Sequence, residues 1–542
     1  MKKVLALLFA ALLLLSAAGC GKKATETTAA PQAADKPEAT AALSDVMDAT
    51  KVQQETKVDE AVKYKKAITI ALDANISSLD VHTNSSATND YINKMTYNQL
   101  LYFNWDTKQI EPELAESWEV EAPDQYLFHL RKDVTFSNGE PFTADDVYFT
   151  FIERTAAVNA TTMGKVSGLM KEIEVVDDYT VRIKLNNPNA DFLHNIYVPT
   201  GSIMNREACE ADPEKGHLIG TAGWIVDDWL VNGYVHLVKY KDSWVWKEKG
   251  ETPTEEITFK CMPEASSRAV ALQNGEVDTC VALANADLPA LEGDPNLELL
   301  SYLQERVYYY MFNMRSGKFA NDVNLRNAVA FAINYQDLCD YATNGLGLVA
   351  TTIWGLNQFG YFDDFDEKIE YNPEKAKEYL AKSSAPDGLE IKLLVTTAFQ
   401  GDATLIQANL ADIGIKADIN ATDTAGFNAA VAEDAADMMI FNITQRTDGD
   451  RFSFIPDIKN STNRAHYDNP EMLQEFIDAR STADEATRLA IYKQIQIEIN
   501  TEKPYVPMYV GVGNTGWRKG VSGIELAPDT KHDYSLIRCT EG

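Results

Sequence analysis

The chain has 542 residues, of which 45% are hydrophobic and 10% aromatic, so it can bury a large core divided among more than one subdomain. The formal net charge of −32 at pH 7 argues against nucleic acid and anionic lipid as partners, and it favours a soluble monomer. An acidic surface could also gather cationic solutes, although a solvated acidic face is the simpler explanation.

The first twenty residues have the organisation of a secretory signal. Two lysines precede an apolar run, residues 4–15, which is too short to cross a bilayer. Small residues then lead to Cys20, in an arrangement that resembles the bacterial lipobox, where cleavage precedes a cysteine that receives a diacylglycerol. We expect residues 1–20 to be a lipoprotein signal peptide, although a plain signal peptide with an incidental cysteine is the alternative.

That resemblance implies an address at the cell surface. Lipidated Cys20 would anchor the protein to the outer face of the cytoplasmic membrane, which is in the periplasm if the organism has an outer membrane. Residues 21–65 are rich in Ala, Thr, Lys, Glu and Gln, and their composition predicts a flexible tether.

The folded body begins with alternating β-branched residues at 67–72, which predict a strand. Residues 91–102 have a helix-like pattern, and residues 126–131 predict a second strand that runs into a turn at Asn138-Gly139. Thr143 is a favourable N-cap for a helix over residues 144–154.

Further along, strands and helices alternate. Residues 173–176 and 181–185 predict a hairpin. A strand at 257–261, a helix at 265–274 and a strand at 277–281 predict a βαβ unit, and such units imply parallel strands in α/β layers. Later helices are predicted at residues 324–333, 373–382, 403–413 and 483–501.

An ordered series of motifs resembles the family 5 extracellular solute-binding proteins, the dipeptide-, oligopeptide- and nickel-binding proteins of ABC transporters. Each motif is weak by itself, but their order is specific. The series comprises LAESWEV at 114–120, YLFHLRK at 126–132, NGEP at 138–141, TADDV at 143–147, LQNGEVD at 272–278, YNPEKAK at 371–377 and YVPMY at 505–509.

The resemblance implies an α/β fold of two lobes joined by a hinge, like that of periplasmic binding proteins, with an extra subdomain in the first lobe. Lobe I would comprise residues 66–90, 200–302 and 515–542, the inserted subdomain residues 91–199, and lobe II residues 303–514. The implied function is to bind a solute between the lobes, close, and dock on the permease of an ABC importer. Neither catalysis nor a cofactor is implied.

The family resemblance also suggests where the solute lies. The loop after the first strand lines the cleft in the family, which makes Asn75, Ser77 and Ser78 candidates, although a capped turn without ligand is equally compatible. Residues 444–448 match the segment that meets the solute's head group; they are Thr444, Gln445, Arg446, Thr447 and Asp448.

Arg446 occupies about the place where peptide-binding members carry an aspartate. Its guanidinium would favour a carboxylate, phosphate or sulfate, so we expect a small peptide or a peptide-like, carboxylate-bearing solute. A surface arginine paired with Asp448 or Asp450 is the alternative. A metal chelate, a sugar, an opine or a sensory role without transport also stays open.

Other candidates are less specific. Tyr97, Trp105, Trp224 and Trp354 are candidate cleft aromatics or core residues, and Asn313 lies in a family motif. The seven histidines are not spaced as a metal site, and GVGNTG at 511–516 follows a strand without opening a helix, so it does not predict nucleotide binding. Five cysteines follow Cys20, and buried free thiols are preferred to a Cys261–Cys280 disulfide.

Overall fold

The structure is a computed structural model that describes residues 58–59, 61–84, 86–158, 163–315, 317–444 and 447–541. The signal peptide, Cys20 and most of the predicted tether lie outside these residues, as do Gln445 and Arg446.

The strands, in chain order, are β1 (Ala67–Leu72), β2 (Leu101–Asn104), β3 (Gln109–Pro112), β4 (Ala115–Ala122), β5 (Gln125–Leu130), β6 (Met170–Asp177), β7 (Thr180–Leu185), β8 (Trp224–Leu230), β9 (Tyr234–Lys239), β10 (Glu256–Cys261), β11 (Thr279–Cys280), β12 (Leu297–Phe312), β13 (Leu348–Val349), β14 (Leu389–Thr396), β15 (Ile415–Thr422), β16 (Met438–Thr444), β17 (Tyr505–Arg518), β18 (Val521–Ser522) and β19 (Arg538–Cys539).

The α-helices are α1 (Ala87–Thr96), α2 (Ala144–Tyr148), α3 (Thr155–Ala157), α4 (Met163–Ser167), α5 (Phe192–Ile196), α6 (Arg206–Ala211), α7 (Val245–Lys249), α8 (Ala265–Asn274), α9 (Leu288–Leu291), α10 (Val323–Ala332), α11 (Tyr335–Thr343), α12 (Pro373–Ala381), α13 (Gln400–Ala411), α14 (Thr424–Ala432), α15 (Pro470–Ser481) and α16 (Glu485–Glu502). Short 3₁₀ turns include Pro199–Gly201 and Gly449–Phe452. Within the described part of the chain, no helix has the length and apolar character needed to cross a membrane.

One mixed sheet runs through most of the body. Its strands follow the order β15-β14-β16-β12-β17-β11-β1-β10-β9-β8, with β13 paired to β17. The long strands β12 and β17 join its two halves. Leu303 pairs with Val512, and the next pair is Val307 with Val510, so three residues of β12 lie opposite one residue of β17. Residues 304–306 therefore form a bulge between the two halves.

The β1 half of the sheet contains the predicted βαβ unit. Strands β10 and β11 both run parallel to β1, and α8 connects them. Helix α8 ends at Asn274, and its C-cap is Gly275, whose φ of +76° is a conformation that favours glycine. Parallel strands bring their carboxyl ends to one edge of the sheet, where α/β proteins place their ligands.

Between β1 and β8 of the large sheet, the chain forms a separate antiparallel sheet of order β4-β5-β7-β6. The predicted β6–β7 hairpin is confirmed. The helix predicted over 144–154 begins at Thr143 as expected, but residues Phe149–Arg154 adopt a π-helix. The predicted helix over 91–102 is wrong at its end, because α1 ends at Thr96 and Leu101–Asn104 pair with β3.

The other half of the sheet buries both of its faces. One core cluster contains Leu393, Ile440 and α10–α13 residues, and the other contains Met439 with residues from α15 and α16. The four helices predicted in this half of the sequence are all present, with boundaries that differ by up to three residues.

The predicted tether ends earlier than expected. Tyr64 forms a β-bridge with Thr540, and the Lys65 amide donates to the carbonyl of Cys539 (2.8 Å), so residues 63–65 pack on the C-terminal segment. The five described cysteines are free thiols, and Cys261 and Cys280 lie on strands that flank β1 on opposite sides.

Candidate functional site

A cavity of about 310 Å³ lies beside the joint between the two halves of the sheet. Three segments on the β1 side of the joint supply most of its walls: helix α1, residues 97–113, and residues 525–533. Thr444, the last residue of β16, lines it from the other half. The cavity is therefore bounded by both halves of the molecule.

A second cavity of about 200 Å³ continues this one toward the bulge. Helix α1 lines both, with Asp90 in the first and Tyr91 in the second. The bulge residue Arg306 lines the second cavity, and its Nε donates to Oγ1 of Thr444 (3.1 Å), which lines the first. The two cavities are thus neighbours beside the bulge of β12, and together we call them the cleft.

Carboxylates outnumber cations in the larger cavity. Three lysines and five acids line it: Lys94, Lys249, Lys531, Asp90, Glu113, Glu525, Asp529 and Asp533. Lys531 pairs with Asp90 (2.8 Å) and Lys249 with Asp533 (3.3 Å). Among the residues that the structure describes, the remaining three acids form no ion pair with a lysine or arginine.

Glu113 is held by hydrogen bonds from neutral groups. Its carboxylate accepts from Nδ2 of Asn98 (2.8 Å) and from the amide of Gln99 (2.8 Å). Burial raises the pKa of Glu113 to about 7, although Lys249 and these two hydrogen bonds act in the opposite direction. The cleft therefore contains a carboxyl group whose charge has no direct counterion.

Aromatic rings form the apolar part of the cavity. Phe103 contacts Trp105 edge to face, with ring centroids 4.9 Å apart, and lies 5.6 Å from Tyr197. Trp105 is half-buried and lines the cavity, as predicted for a cleft aromatic. Tyr97 also lines the wall, but its hydroxyl donates to the carbonyl of His217.

Asp448 is occupied by partners within the protein. It is buried, and its carboxylate accepts from the guanidinium of Arg488 and from the hydroxyl of Tyr492 (2.8 Å). It also caps the turn that starts at Gly449 by accepting from the amide of Asp450 (2.9 Å). Asp448 is buried among these partners and lines neither cavity, so its position supports a structural role and not the predicted contact with the solute.

The region between β7 and the 3₁₀ turn at 199–201 touches the opposite half of the molecule. The amide of Ala190 donates to the carbonyl of Arg480 (2.7 Å), and the hydroxyls of Tyr197 and Thr447 are 3.5 Å apart. Thr447 is buried at this contact. In this structure the halves are in contact at a second place besides β12 and β17.

A potential metal-ligand group lies at the same contact, and the histidine spacing in the sequence did not reveal it. Single ligand atoms of Asp191, His194 and Asp448 lie within 4.8 Å of one another. Arg488 already neutralises Asp448, and its positive charge would disfavour a cation there. We therefore assign this group to the contact between the halves.

Several predicted site residues lie in the core. Trp224 is 1% exposed and its Nε1 donates to the carbonyl of Ser535, while Trp354 is 1% exposed and packs on Phe452. Asn313 donates to the carbonyl of Ala436 (3.2 Å). For Trp224 and Trp354 the core alternative is therefore correct, and Asn313, a candidate because it lies in a family motif, is buried and lines neither cavity.

The predicted residues Asn75, Ser77 and Ser78 line neither cavity in this structure, although Asp73, which directly follows β1, lines the second one. Asn75 and Ser77 are exposed, and Oγ of Ser78 accepts from the amide of Asp80 (3.2 Å), as in a capped turn. Gln445 and Arg446 lie outside the described residues, so the predicted role of Arg446 stays a prediction.

Sequence reasoning missed the charged wall of the cleft. Asp529, Lys531 and Asp533 lie in irregular chain near the C-terminus, where no periodic pattern indicates a site, and Glu113 lies directly before the LAESWEV motif. The available signal was the density of charged residues between 525 and 533, which is unusual beside buried neighbours such as Tyr534.

Comparison with known proteins identifies the family. The family model for bacterial extracellular solute-binding proteins, family 5 Middle, matches residues 109–465. The chain is 28% identical over 477 residues to heme-binding protein A of Haemophilus influenzae, covering 80% of this chain and 85% of the relative. It is 28% identical over 493 residues to the dipeptide-binding protein of Escherichia coli, covering 84% and 90%.

Solved structures support the same fold. The periplasmic binding protein DppA from Helicobacter pylori, in complex with peptide STSA, superposes with a TM-score of 0.75 at 24% identity, covering 90% of this chain and 100% of that one. The predicted α/β fold of two lobes is thus confirmed. The two halves of the sheet, joined by β12 and β17, are its lobes, and this chain belongs to the bacterial extracellular solute-binding proteins of family 5, the solute-binding receptors of ABC importers.

Proposed function

We propose that this receptor captures a small peptide or peptide-like solute in the cleft between its lobes and delivers it to the permease without chemical turnover. The cleft combines aromatic faces with a few fixed polar groups, which is typical of small-molecule sites. Its larger cavity of about 310 Å³ lies at the lower end of the size range of such sites, and the second cavity extends it.

One observation carries the proposal: residues of both lobes bound the same cleft. Thr444 of β16 faces a cavity whose other walls come from α1, β2 and the C-terminal segment. A solute that contacts both sides interacts more strongly with the closed arrangement than with an open one, so its binding energy favours closure. The bulge at residues 304–306 is a suitable place for the backbone change that closure needs.

We extend the proposal to the location of the receptor, its oligomeric state and its lobe boundaries. Lipidated Cys20 anchors the receptor to the outer face of the membrane, the residues between the signal and the folded body act as a tether, and the receptor works as a monomer that meets the permease subunits. The lobe boundaries are those expected from the resemblance, at 302/303 and 514/515, and they fall close to the bulge.

A solute other than a peptide is the second candidate, because a relative with the same identity to this chain is a heme-binding protein. Size and chemistry of the cleft favour a smaller and more polar solute than heme. The cavity is lined by eight charged side chains, and a mostly apolar macrocycle would offer no partner to Glu113, Glu525 and Asp529, which form no ion pair within the described part of the chain.

A thermal-shift screen tests the proposal. The soluble body lacking residues 1–20 is mixed with short peptides, amino acids, sugars and metal chelates, and the melting temperature is measured for each. A solute that binds the native state stabilises it by RT ln(1 + [L]/Kd), which is about 2.7 kcal/mol at a hundredfold excess over Kd. Stabilisation by peptides supports the proposal, and stabilisation only by sugars or chelates contradicts it.

A further inference from the structure

We propose that the solute carries a positively charged group, an ammonium or a guanidinium, which binds against Glu113 on the lobe I side of the cleft. The inference rests on the proposed function, since it names the chemical class of the solute that this cleft takes. It differs from the expectation drawn from Arg446, which favoured an anionic head group.

The charge balance of the cavity is the first argument. Asp90 and Asp533 are neutralised by Lys531 and Lys249. Among the described residues, Glu113, Glu525 and Asp529 form no such pair, although Lys249 also attracts Glu113 and Glu525, and Lys531 attracts Asp529. With Lys94, whose Nζ donates to the carbonyl of Lys531 (2.5 Å), the cavity has five carboxylates for three lysines. A solute with a positive charge compensates this excess, whereas an anionic solute adds to it.

The position of Glu113 is the second argument. A side cavity of about 250 Å³ shares three lining residues with the main cavity, namely Tyr102, Glu113 and Lys249. The side cavity is also lined by Glu111, Glu248 and Arg131, and the guanidinium of Arg131 lies 2.9 Å from the carboxylate of Glu248. The wall around Glu113 therefore carries three carboxylates, those of Glu111, Glu113 and Glu248, against the two cations Arg131 and Lys249.

The hydrogen bonds of Glu113 leave it able to bind a cation. Asn98 and Gln99 donate to its two oxygens, one each, and fix the carboxylate in place. A carboxylate has roughly four lone-pair sites, so it keeps acceptor capacity for a charged donor. This preorganisation lowers the entropy cost of binding.

The aromatic residues supply a second kind of contact for a cation. Phe103, Trp105 and Tyr197 line the same cavity as Glu113. Aromatic faces attract ammonium and guanidinium groups and also pack on their aliphatic stems. The combination suits an amine-bearing solute with an apolar portion.

The opposite lobe does not offer a competing carboxylate among its described residues in the main cavity. Asp448 is closed off by Arg488 and Tyr492, and Thr444, which lines the cavity from that lobe, is uncharged. The lobe I wall is thus the acidic side of the cleft.

The protonation of Glu113 provides an independent readout. Burial raises the pKa of Glu113 to about 7, so near neutral pH both the protonated and the ionised form are populated in the empty site. Lys249 of α7 lowers this pKa and Asp533 of the C-terminal segment raises it, while Glu111, Arg131 and Glu248 face the residue from the side cavity. A bound cation favours the ionised carboxylate and should expel that proton.

Isothermal titration calorimetry with matched solutes tests the inference. The probes are Lys-Ala, its doubly N-acetylated form and N-acetyl-Glu-Ala, together with cationic and acetylated versions of any solute found in the thermal screen. We expect the cationic member of each pair to bind at least about tenfold more tightly, because a charge-assisted hydrogen bond is lost in the other. Titration at pH 7 in buffers of different ionisation enthalpy should show that the cationic member releases protons on binding.

Glu113→Gln keeps the size of the side chain and an oxygen that can accept one of the two hydrogen bonds, but it removes the charge. Once thermal unfolding shows that this variant folds, it should bind the cationic solute at least about tenfold more weakly and release no proton. Glu116→Gln removes an exposed acid on β4 and is the matched control, with unchanged affinity.

Equal or tighter binding of the uncharged or anionic member, or unchanged affinity of the folded Glu113→Gln variant for the cationic solute, overturns the inference and leaves the receptor function intact. Failure of every solute class to bind overturns the proposed function itself.

Discussion

At the scale of single residues, Asp448 shows how a residue near the cleft can serve the structure. Its carboxylate joins Arg488 and Tyr492 of α16 to the turn at Gly449. Gly449 itself packs against the indole of Trp354, where an added Cβ would lie 2.6 Å from Nε1. This cluster fixes Asp448 and the turn at Gly449, whereas Thr444 is placed by the pairing of β16 with Arg306 of β12.

We predict that Asp448→Asn lowers the free energy of unfolding by about 3–5 kcal/mol, because it leaves the buried Arg488 guanidinium without its anionic partner. Urea unfolding monitored by circular dichroism measures the change. Glu390→Gln, which removes the exposed pair with Lys416, is the control and should cost less than about 1 kcal/mol. Similar losses in both variants would show that the buried pair does not contribute as described.

Residue roles were predictable from the sequence only where a local rule applies. Thr143 as an N-cap follows from its position before an apolar helix, and the structure confirms it. The positions of Trp224, Trp354 and Asp448 depend on contacts with residues far along the chain, such as Ser535, Phe452 and Arg488. No local pattern separates a buried tryptophan from one that lines a cleft.

At the scale of elements, helix α16 illustrates the link between a local signal and the site. Asp484 caps it, and its carboxylate accepts from the amide of Thr487 (2.9 Å). The first turns of this helix carry Arg488 and Tyr492, which bind Asp448. The cap therefore contributes to the stability of the segment beside the cleft.

Asp484→Ala should lower the stability of the protein by about 1 kcal/mol, because an amide at the helix N-terminus loses its acceptor. Asp484→Asn keeps a good N-cap and should be nearly neutral. Thermal unfolding of the two variants under identical conditions is the measurement. If alanine and asparagine have the same effect, capping at this position is not the cause.

Fewer than half of the strands and helices in the described part of the chain were predicted; β1, for example, was predicted from its alternating β-branched residues. The π-helix at Phe149–Arg154 was not, because its sequence has ordinary helical periodicity. The bulge at residues 304–306 arises from the unequal pairing of β12 with β17, two segments about 200 residues apart. Register between distant strands is a property of the folded sheet, and the sequence of either strand alone does not specify it.

At the scale of the whole molecule, the central sheet explains why a cleft exists. The strands β12 and β17 run through both lobes, and the cleft opens beside the point where their pairing is interrupted. The GVGNTG motif at 511–516 lies inside β17 and pairs with β12. This strand conformation agrees with the interpretation that the motif does not predict nucleotide binding. The ordered family motifs predicted this architecture, while the chemistry of the cleft required the structure.

The most direct test of the central claim is to fill the cleft from the lobe II side. Thr444→Trp places a large ring at the cavity, and Val120→Trp adds the same ring at an exposed position of β4 as the control. Titration calorimetry with the solute from the thermal screen should show one saturable site in the unmodified body and in Val120→Trp. Thr444→Trp, once its thermal unfolding shows that it folds, should bind at least about tenfold more weakly. Unchanged affinity in Thr444→Trp would contradict the claim that the solute binds between the lobes.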